Sequence, residues 1–152
     1  MQKLFVGAAL VLTLALAACS GPGATRAQTA PQPSSPGGQT VGQPAPGPFT
    51  ANGEANASSG RVTIQMTDNM RYGPNVIRVK AGQSVAVELK NAGSTVHDFD
   101  APSLGVATAI KVNAGQSATA SFTAPAQAGT YAFWCDEPGH AQAGMTGQVI
   151  VE

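Results

Sequence analysis

The sequence from Thr130 to Cys135, Thr-Tyr-Ala-Phe-Trp-Cys, places large apolar side chains at alternate positions. Because side chains alternate between the two faces of a β-strand, Tyr131, Phe133 and Cys135 would share one face. The turn-forming residues 125–129, Pro-Ala-Gln-Ala-Gly, come directly before this stretch. The segment therefore predicts a strand whose core-facing side ends on a cysteine.

The same alternation recurs through residues 61–152. Four further runs carry apolar residues at every second position: Val62, Ile64 and Met66; Val85, Val87 and Leu89; Ala118, Ala120 and Phe122; Val149 and Val151. Turns rich in Gly, Pro and Asn separate these runs, and no window has the apolar period of a helix. We therefore predict an all-β fold, a β-sandwich of about seven or eight strands with Greek-key connections.

The first 18 residues have the pattern of a secretory signal peptide. Lys3 precedes an uncharged apolar run, residues 4–18, that is too short for a comfortable membrane span. The run ends in Leu-Ala-Ala before Cys19, which resembles the bacterial lipobox, where the cysteine becomes the lipidated first residue. We expect an extracytoplasmic, membrane-anchored lipoprotein; the alternative is an ordinary signal peptide followed by an incidental cysteine.

Residues 19–60 differ in composition from the rest of the chain. They are rich in Gly, Pro, Ala and Ser, and Arg26 and Glu54 are their only charged residues. Such a stretch buries too little apolar surface to offset the entropy of ordering it. We therefore predict a disordered tether, with a typical end-to-end distance of roughly 35 Å, followed by one domain at residues 61–152.

The overall charge argues against nucleic acid as a partner. Only 11% of the residues are charged, and the formal net charge is zero. No basic stretch could follow a phosphate backbone.

The residues with the most distinctive chemistry lie in Cys135-x4-His140-x4-Met145, and the other histidine of the chain is His97. If Cys19 carries lipid, Cys135 has no partner within the chain for a disulfide. A thiolate, two imidazoles and a thioether suit copper, in a trigonal His2Cys site with a long axial Met. Zinc could bind the same cysteine and histidines, but a thioether is a poor zinc ligand.

Taken singly, each of these residues would more often be structural, as a core methionine or a satisfied histidine. Their order favours a common site. The strand 130–135, the loop 138–145 and the upstream Val-His-Asp-Phe at 96–99 together resemble the cupredoxins, the plastocyanin and azurin family. The ligand spacing is most similar to that of the auracyanins, and the resemblance covers about residues 61–152. It implies one type 1 copper ion, bound by His97, Cys135, His140 and Met145.

The resemblance also suggests roles for residues around the ligands. Trp134 alternates out of phase with Phe133 and Cys135, so it would face outward, where an aromatic beside the ligand cysteine is implicated in electron entry. The alternative is that Trp134 packs beneath a neighbouring loop. Pro138 and Ala143 belong to a small, largely apolar neighbourhood of His140, which would suit transient docking.

Two acids depart from the usual family pattern. Asp98 follows the upstream histidine, where Asn is common, and Asp136 follows the cysteine, where Ser or Thr is common. Both are expected close to the metal ligands, where charge and hydrogen bonds tune a metal. Our hypothesis is that a negative charge at either position favours Cu(II) and lowers the reduction potential.

The residue inventory favours an electron carrier over an enzyme. The ligand loop has one cysteine, whereas a binuclear copper centre needs two, and no histidines remain for a second copper centre. We expect a monomer that exchanges single electrons with redox proteins such as a cytochrome or a membrane oxidoreductase complex. The alternatives are a copper-binding module for storage or delivery, and a domain that only retains the fold, binds a partner and does not bind copper.

Overall fold

The computed structural model describes residues 40–152, and ten strands form within this part of the chain. They are β1 (Glu54–Asn56), β2 (Arg61–Thr67), β3 (Arg71–Gly73), β4 (Val76–Val79), β5 (Ser84–Asn91), β6 (His97–Ala101), β7 (Val106–Val112), β8 (Ser117–Thr123), β9 (Gly129–Trp134) and β10 (Thr146–Val151). A short 3-10 helix, Pro102–Leu104, follows β6. Between residues 40 and 152 no helix has the length and apolar character needed to cross a bilayer. The predicted signal segment 1–18 and Cys19 lie outside the described residues.

The strands form two sheets. One has the order β1-β4-β10-β9-β6-β7, and the other has the order β3-β2-β5-β8. The β1/β4, β4/β10 and β2/β5 pairs are parallel, and the remaining pairs are antiparallel. The predicted all-β sandwich is confirmed. Its strand count exceeds the predicted seven or eight partly because β1 and β3 have only three residues each, too few to show alternation.

The core lies between the two sheets and follows the predicted alternation. Ile64 of β2 lies opposite Leu89 of β5, and Val87 of β5 lies opposite Ala120 of β8; all four side chains are buried. By contrast, every residue of β9 is buried. Strand β9 is an inner strand of its sheet, and residues distant in sequence cover its outer face as well.

An N-terminal strap, which we define as residues 40–53, forms part of that outer cover. The Val41 N–H donates to the Thr130 carbonyl at 2.8 Å, the Thr146 hydroxyl donates to the Pro48 carbonyl at 2.8 Å, and the side-chain amide of Asn75 donates to the Thr50 carbonyl at 2.9 Å. Asn75 and Thr146 are buried polar residues, and such groups require hydrogen-bond partners. The strap supplies them.

These contacts correct one prediction. A disordered tether at residues 19–60 is wrong for residues 40–60, because the strap packs on the domain and β1 pairs with β4. The composition of the segment is indeed poor in large apolar side chains. Its backbone carbonyls nevertheless satisfy buried donors on the domain, a contribution that composition does not reveal. Residues 19–39 lie outside the described part of the chain.

Candidate metal centre

Three of the four predicted ligands converge at one end of the sandwich. The donor atoms of His97, Cys135 and His140 all lie within 4.8 Å of one another. His140 Nδ1 is 3.3 Å from His97 Nδ1 and 3.3 Å from Cys135 Sγ. His97 and Cys135 are buried, whereas His140 is half-buried. Donors that share one ion through bonds of about 2.0–2.3 Å lie roughly 3–4 Å apart, so the observed spacing fits a single metal ion.

The strand order explains this convergence. β6 begins at His97 and runs antiparallel to β9, with Asp100 opposite Trp134. His97 therefore lies opposite the segment that follows β9, which contains both Cys135 and His140. Neighbouring strands of one sheet thus bring together ligands that are far apart in sequence.

The ligand loop, residues 135–145, is held by its own backbone. The Cys135 N–H donates to the Met145 carbonyl at 3.1 Å, and the Met145 N–H donates to the His140 carbonyl at 3.0 Å. The His140 N–H donates to the Glu137 carbonyl at 3.0 Å. These bonds link the three predicted ligands of the loop through its backbone.

Met145 is fully buried and belongs to the same apolar cluster as Cys135. The hydrogen bond between their backbones keeps the two residues adjacent at the end of the loop. This placement is compatible with an axial thioether, and the assignment of Met145 as a ligand stays a prediction.

The protonation of Cys135 and His97 determines which protons a metal ion would have to displace. Burial raises the pKa of the Cys135 thiol to about 11, although the backbone N–H groups of Asp98 and Glu137 act in the opposite direction. Burial, followed by the neighbouring His140, lowers the pKa of His97. A neutral imidazole is a competent ligand, and a metal ion would displace the proton from the thiol.

Metal binding is therefore expected to release one proton from Cys135 for each ion bound at pH 8. Because the folded thiol keeps its proton until the pH approaches about 11, the apparent affinity should increase with pH throughout the neutral range. Calorimetry in buffers of different ionisation enthalpy would measure this release, with Cu(I) added as its acetonitrile complex in the absence of oxygen. Cys135→Ser is the control and should lack this proton; equal release from both proteins would contradict the expectation.

The two acids near the ligands occupy different environments. Asp98 is 1% exposed, and its Oδ1 accepts the Asp136 N–H at 2.7 Å. The Asp98 N–H donates to Cys135 Sγ at 3.4 Å. The Asp136 side chain is exposed to solvent. Burial raises the pKa of the Asp98 carboxyl, and the hydrogen bond from Asp136 opposes that shift. Of the two acids, Asp98 is therefore the one that is buried beside the predicted ligands and hydrogen-bonded to Cys135.

A further acid, Asp68, supports the loop that precedes His97. Its carboxylate accepts the N–H groups of Ser94 at 2.9 Å and Thr95 at 3.2 Å, together with both hydroxyls. These bonds, with those of Ser94 the largest cause, lower the pKa of Asp68 to about 2. The Thr95 hydroxyl lies 3.3 Å from His97 Nε2, the ring nitrogen that does not face the other ligands. Such outer contacts orient a ligating histidine.

Arg71 of β3 forms a hydrogen bond with the backbone of the ligand loop. Its Nη1 donates to the Ala143 carbonyl at 2.7 Å and to the Met70 carbonyl at 3.0 Å. The side chains of Pro138 and Ala143 are exposed on either side of the half-buried His140, as the docking hypothesis requires. Sequence reasoning missed Asp68 and Arg71 because both act from other strands or turns, without a local motif.

Trp134 does not lie on the surface. It is 3% exposed and packs with Ala132 and Ala141, and Ala45 of the strap lies against this group. Alternation had correctly placed Trp134 on the face opposite Phe133. The expectation of a surface tryptophan is wrong because the strap and the ligand loop cover that face, so the alternative of packing beneath a neighbouring segment holds.

Comparison with known proteins agrees with the β-sandwich fold described above and with the family resemblance predicted from the sequence. The family model for the cupredoxin-like domain matches residues 45–151. The copper-resistant cuproprotein CopI of Rubrivivax gelatinosus is 31% identical to this chain over a 127-residue alignment, and the match covers 68% of this chain and 73% of that protein. The range matched by the family model begins at residue 45, within the strap, in agreement with the packing of this segment on the domain.

Two solved structures share the architecture. Dithionite-reduced auracyanin from Roseiflexus castenholzii has a TM-score of 0.53 at 24% identity, over 61% of this chain and 97% of that chain. The second structure is the metal-binding domain of the Cu(I)-exporting P-type ATPase CopA of Streptococcus pneumoniae, with Cu(I). It has a TM-score of 0.53 at 17% identity and covers 68% of this chain and 99% of that chain. At these identities the likeness concerns the fold. With the family model, it confirms the resemblance to cupredoxins: the chain belongs to the cupredoxin-like family.

Proposed function

We propose that this protein is a type 1 copper protein that transfers single electrons between extracytoplasmic redox partners. The main support is the convergence of one buried thiol and two imidazole Nδ1 atoms on a single point. Met145 would complete the set as a weak axial ligand. When bound, copper would supply the one-electron Cu(I)/Cu(II) couple, and the protein would supply geometry and electrostatics.

The surroundings of the ligands suit electron transfer. Burial of His97 and Cys135 excludes water, and the backbone bonds of the ligand loop restrict movement of the donors. Arg71 adds a side-chain tie from β3. A donor set that moves little between oxidation states keeps the reorganisation cost of electron transfer low. His140, the half-buried ligand, would form the edge where a partner approaches, with Pro138 and Ala143 beside it.

The remaining parts of the proposal rest on the sequence. The signal-like residues 1–18 and Cys19 support export and a lipid anchor, which would keep the domain near a membrane. The shortage of further histidines supports a carrier with one copper ion rather than an enzyme. We propose a monomer whose partners are redox proteins such as a cytochrome or a membrane oxidoreductase complex, with no nucleic-acid partner.

A second candidate is copper storage or delivery. It is favoured by the relative at 31% identity, which is named as a copper-resistant cuproprotein. The same donors would then hold copper as cargo, and the half-buried His140 would be the ligand most accessible to an acceptor.

Absorption spectroscopy distinguishes the two candidates. Copper(II) is added to the chain without residues 1–19, so that no lipid is attached, and spectra are recorded before and after reduction. An electron carrier should show an intense thiolate-to-copper band that disappears and returns reversibly, with slow loss of copper to a chelator. A weak band with rapid transfer of copper to an acceptor would favour delivery, and a colourless protein would overturn the electron-transfer proposal.

The two acids provide a prediction about the reduction potential. Asp98→Asn and Asp136→Ser each remove a negative charge near the ligands, which should destabilise Cu(II) and raise the potential. The increase should be larger for Asp98→Asn, because that carboxyl is buried and screening by solvent is weak. Protein-film voltammetry at pH 8 would measure both variants. Unchanged or lowered potentials in both would disprove the hypothesis.

A further inference from the structure

Tyr72 contacts Asp98, the residue after His97, from the opposite sheet. It is the middle residue of β3, and its side chain is fully buried. Its ring packs edge-on against Phe133, with centroids 5.1 Å apart, and against Phe99 at 6.5 Å. Its hydroxyl donates to the Asp98 carbonyl at 2.5 Å. Tyr72 therefore combines aromatic packing in the core with one polar contact, and that contact is to the residue after His97.

Asp98 connects this hydroxyl to the sulfur. Its carbonyl accepts the Tyr72 hydroxyl, its N–H donates to Cys135 Sγ at 3.4 Å, and its carboxylate accepts the Asp136 N–H at 2.7 Å. Asp98 is thus bound at its carbonyl, its amide and its side chain. Of these three bonds, the one to Tyr72 ties Asp98 to the opposite sheet of the sandwich.

The hydroxyl makes a contribution that the aromatic ring alone could not. A phenylalanine would supply the same packing against Phe99 and Phe133, without a polar atom to bury. Burying a hydroxyl is unfavourable unless it is paired, and here its partner is the Asp98 carbonyl. Burial raises the pKa of Tyr72, with a smaller contribution from Cys135, so the hydroxyl keeps its proton and remains a donor.

We propose that Tyr72 is a positioning residue for the copper site, which orients the Asp98 backbone so that its N–H points at the Cys135 sulfur. The inference rests on the function proposed above. Hydrogen bonding at the cysteine sulfur is one of the factors that set the potential of such a site. An N–H donor withdraws electron density from the sulfur and weakens its donation to Cu(II), which raises the potential.

This role gives Asp98 two opposing effects on the metal. Its N–H, held by Tyr72, favours the reduced ion, whereas its carboxylate favours the oxidised one. Tyr72→Phe should therefore lower the reduction potential, while Asp98→Asn should raise it. A general loosening of the core by Tyr72→Phe has no reason to produce a shift in this particular direction.

The chain offers a matched control. It contains two tyrosines, and the second, Tyr131, is also buried and donates its hydroxyl to a backbone carbonyl, that of Gln127, at 2.8 Å. Tyr131 lies near the start of β9, away from Cys135 at the other end. Tyr131→Phe therefore removes the same kind of hydrogen bond without touching the contact to Asp98.

The test compares both variants with the wild-type protein loaded with copper. Tyr72→Phe should lower the potential and shift the energy of the thiolate-to-copper band, whereas Tyr131→Phe should leave both unchanged. In the metal-free protein, amide hydrogen exchange measured by NMR should become faster at Asp98 in Tyr72→Phe and stay unchanged in Tyr131→Phe.

The two kinds of measurement separate the possible failures. If the wild-type protein binds no copper, the proposed function fails, and the exchange rate at Asp98 still decides whether Tyr72 orients this amide. If the wild-type protein is blue, a Tyr72→Phe protein with unaltered potential and band overturns the inference and leaves the proposed function intact. Unaltered exchange at Asp98 overturns it as well.

Discussion

Cys135→Ser is expected to abolish the intense thiolate-to-copper absorption and to weaken copper binding by more than about 100-fold. Loss of a residue that merely supports a metal ligand already reduces affinity by about 10–100-fold, and Cys135 supplies the sulfur of the three-donor cluster itself. Cys135 is the free cysteine among the described residues, so no other thiolate within residues 40–152 could replace it. Absorption spectra and competition with a copper chelator would measure the two effects.

Asp136→Ser is the control for this experiment, because it changes the adjacent residue while preserving the sulfur. It should retain the absorption, and the lost charge should weaken copper binding far less than loss of the sulfur does. Circular dichroism would establish that both variants keep the β-sandwich. An intense blue band in a correctly folded Cys135→Ser protein would exclude Cys135 as the ligand responsible for the colour.

Gly47→Val is expected to separate the strap from the domain, expose Trp134 and reduce the free energy of unfolding by about 1–3 kcal/mol, the usual cost of overpacking. A Cβ at residue 47 would lie 1.8 Å from the Ala141 carbonyl oxygen and 2.4 Å from its carbon. Neither distance is possible without movement of the strap or the ligand loop. Because Ala141 follows His140, the thiolate-to-copper band should shift as well.

Tryptophan fluorescence would follow this change directly, since Trp134 is the single tryptophan of the chain. Its emission should move to longer wavelength in metal-free Gly47→Val as the indole meets water. Ala51→Val is the control, because residue 51 belongs to the strap but its side chain is exposed. Unchanged emission and stability in Gly47→Val would contradict the close packing of the strap on the ligand loop.

The ligand cluster, tested by Cys135→Ser, could be predicted from the sequence, whereas the strap, tested by Gly47→Val, could not. The ligand cluster was predictable because its signal is local: a cysteine, a histidine and a methionine follow one another at short intervals directly after an alternating strand. His97 could be added because it is the only other histidine. The strap had no comparable signal, since its contacts are made largely by backbone carbonyls and by the absence of a side chain at Gly47.

Trp134 shows where the local pattern ceases to be sufficient. Alternation determines which face of β9 each side chain occupies, because successive residues of a strand point in opposite directions. It does not determine what covers that face. Here the cover comes from residues 45 and 141, one far upstream and one in the following loop.

The amino-acid sequence by itself determined the two-layer β architecture and the donor atoms suited to copper, because strand periodicity and ligand chemistry are properties of individual residues and their close neighbours. Only the tertiary structure decided that Trp134 is buried, that residues 40–53 belong to the domain, and that Tyr72 contacts Asp98 across the sandwich. These contacts join residues from different strands and loops. Their existence depends on the pairing order and packing of both sheets, which no local stretch of sequence contains.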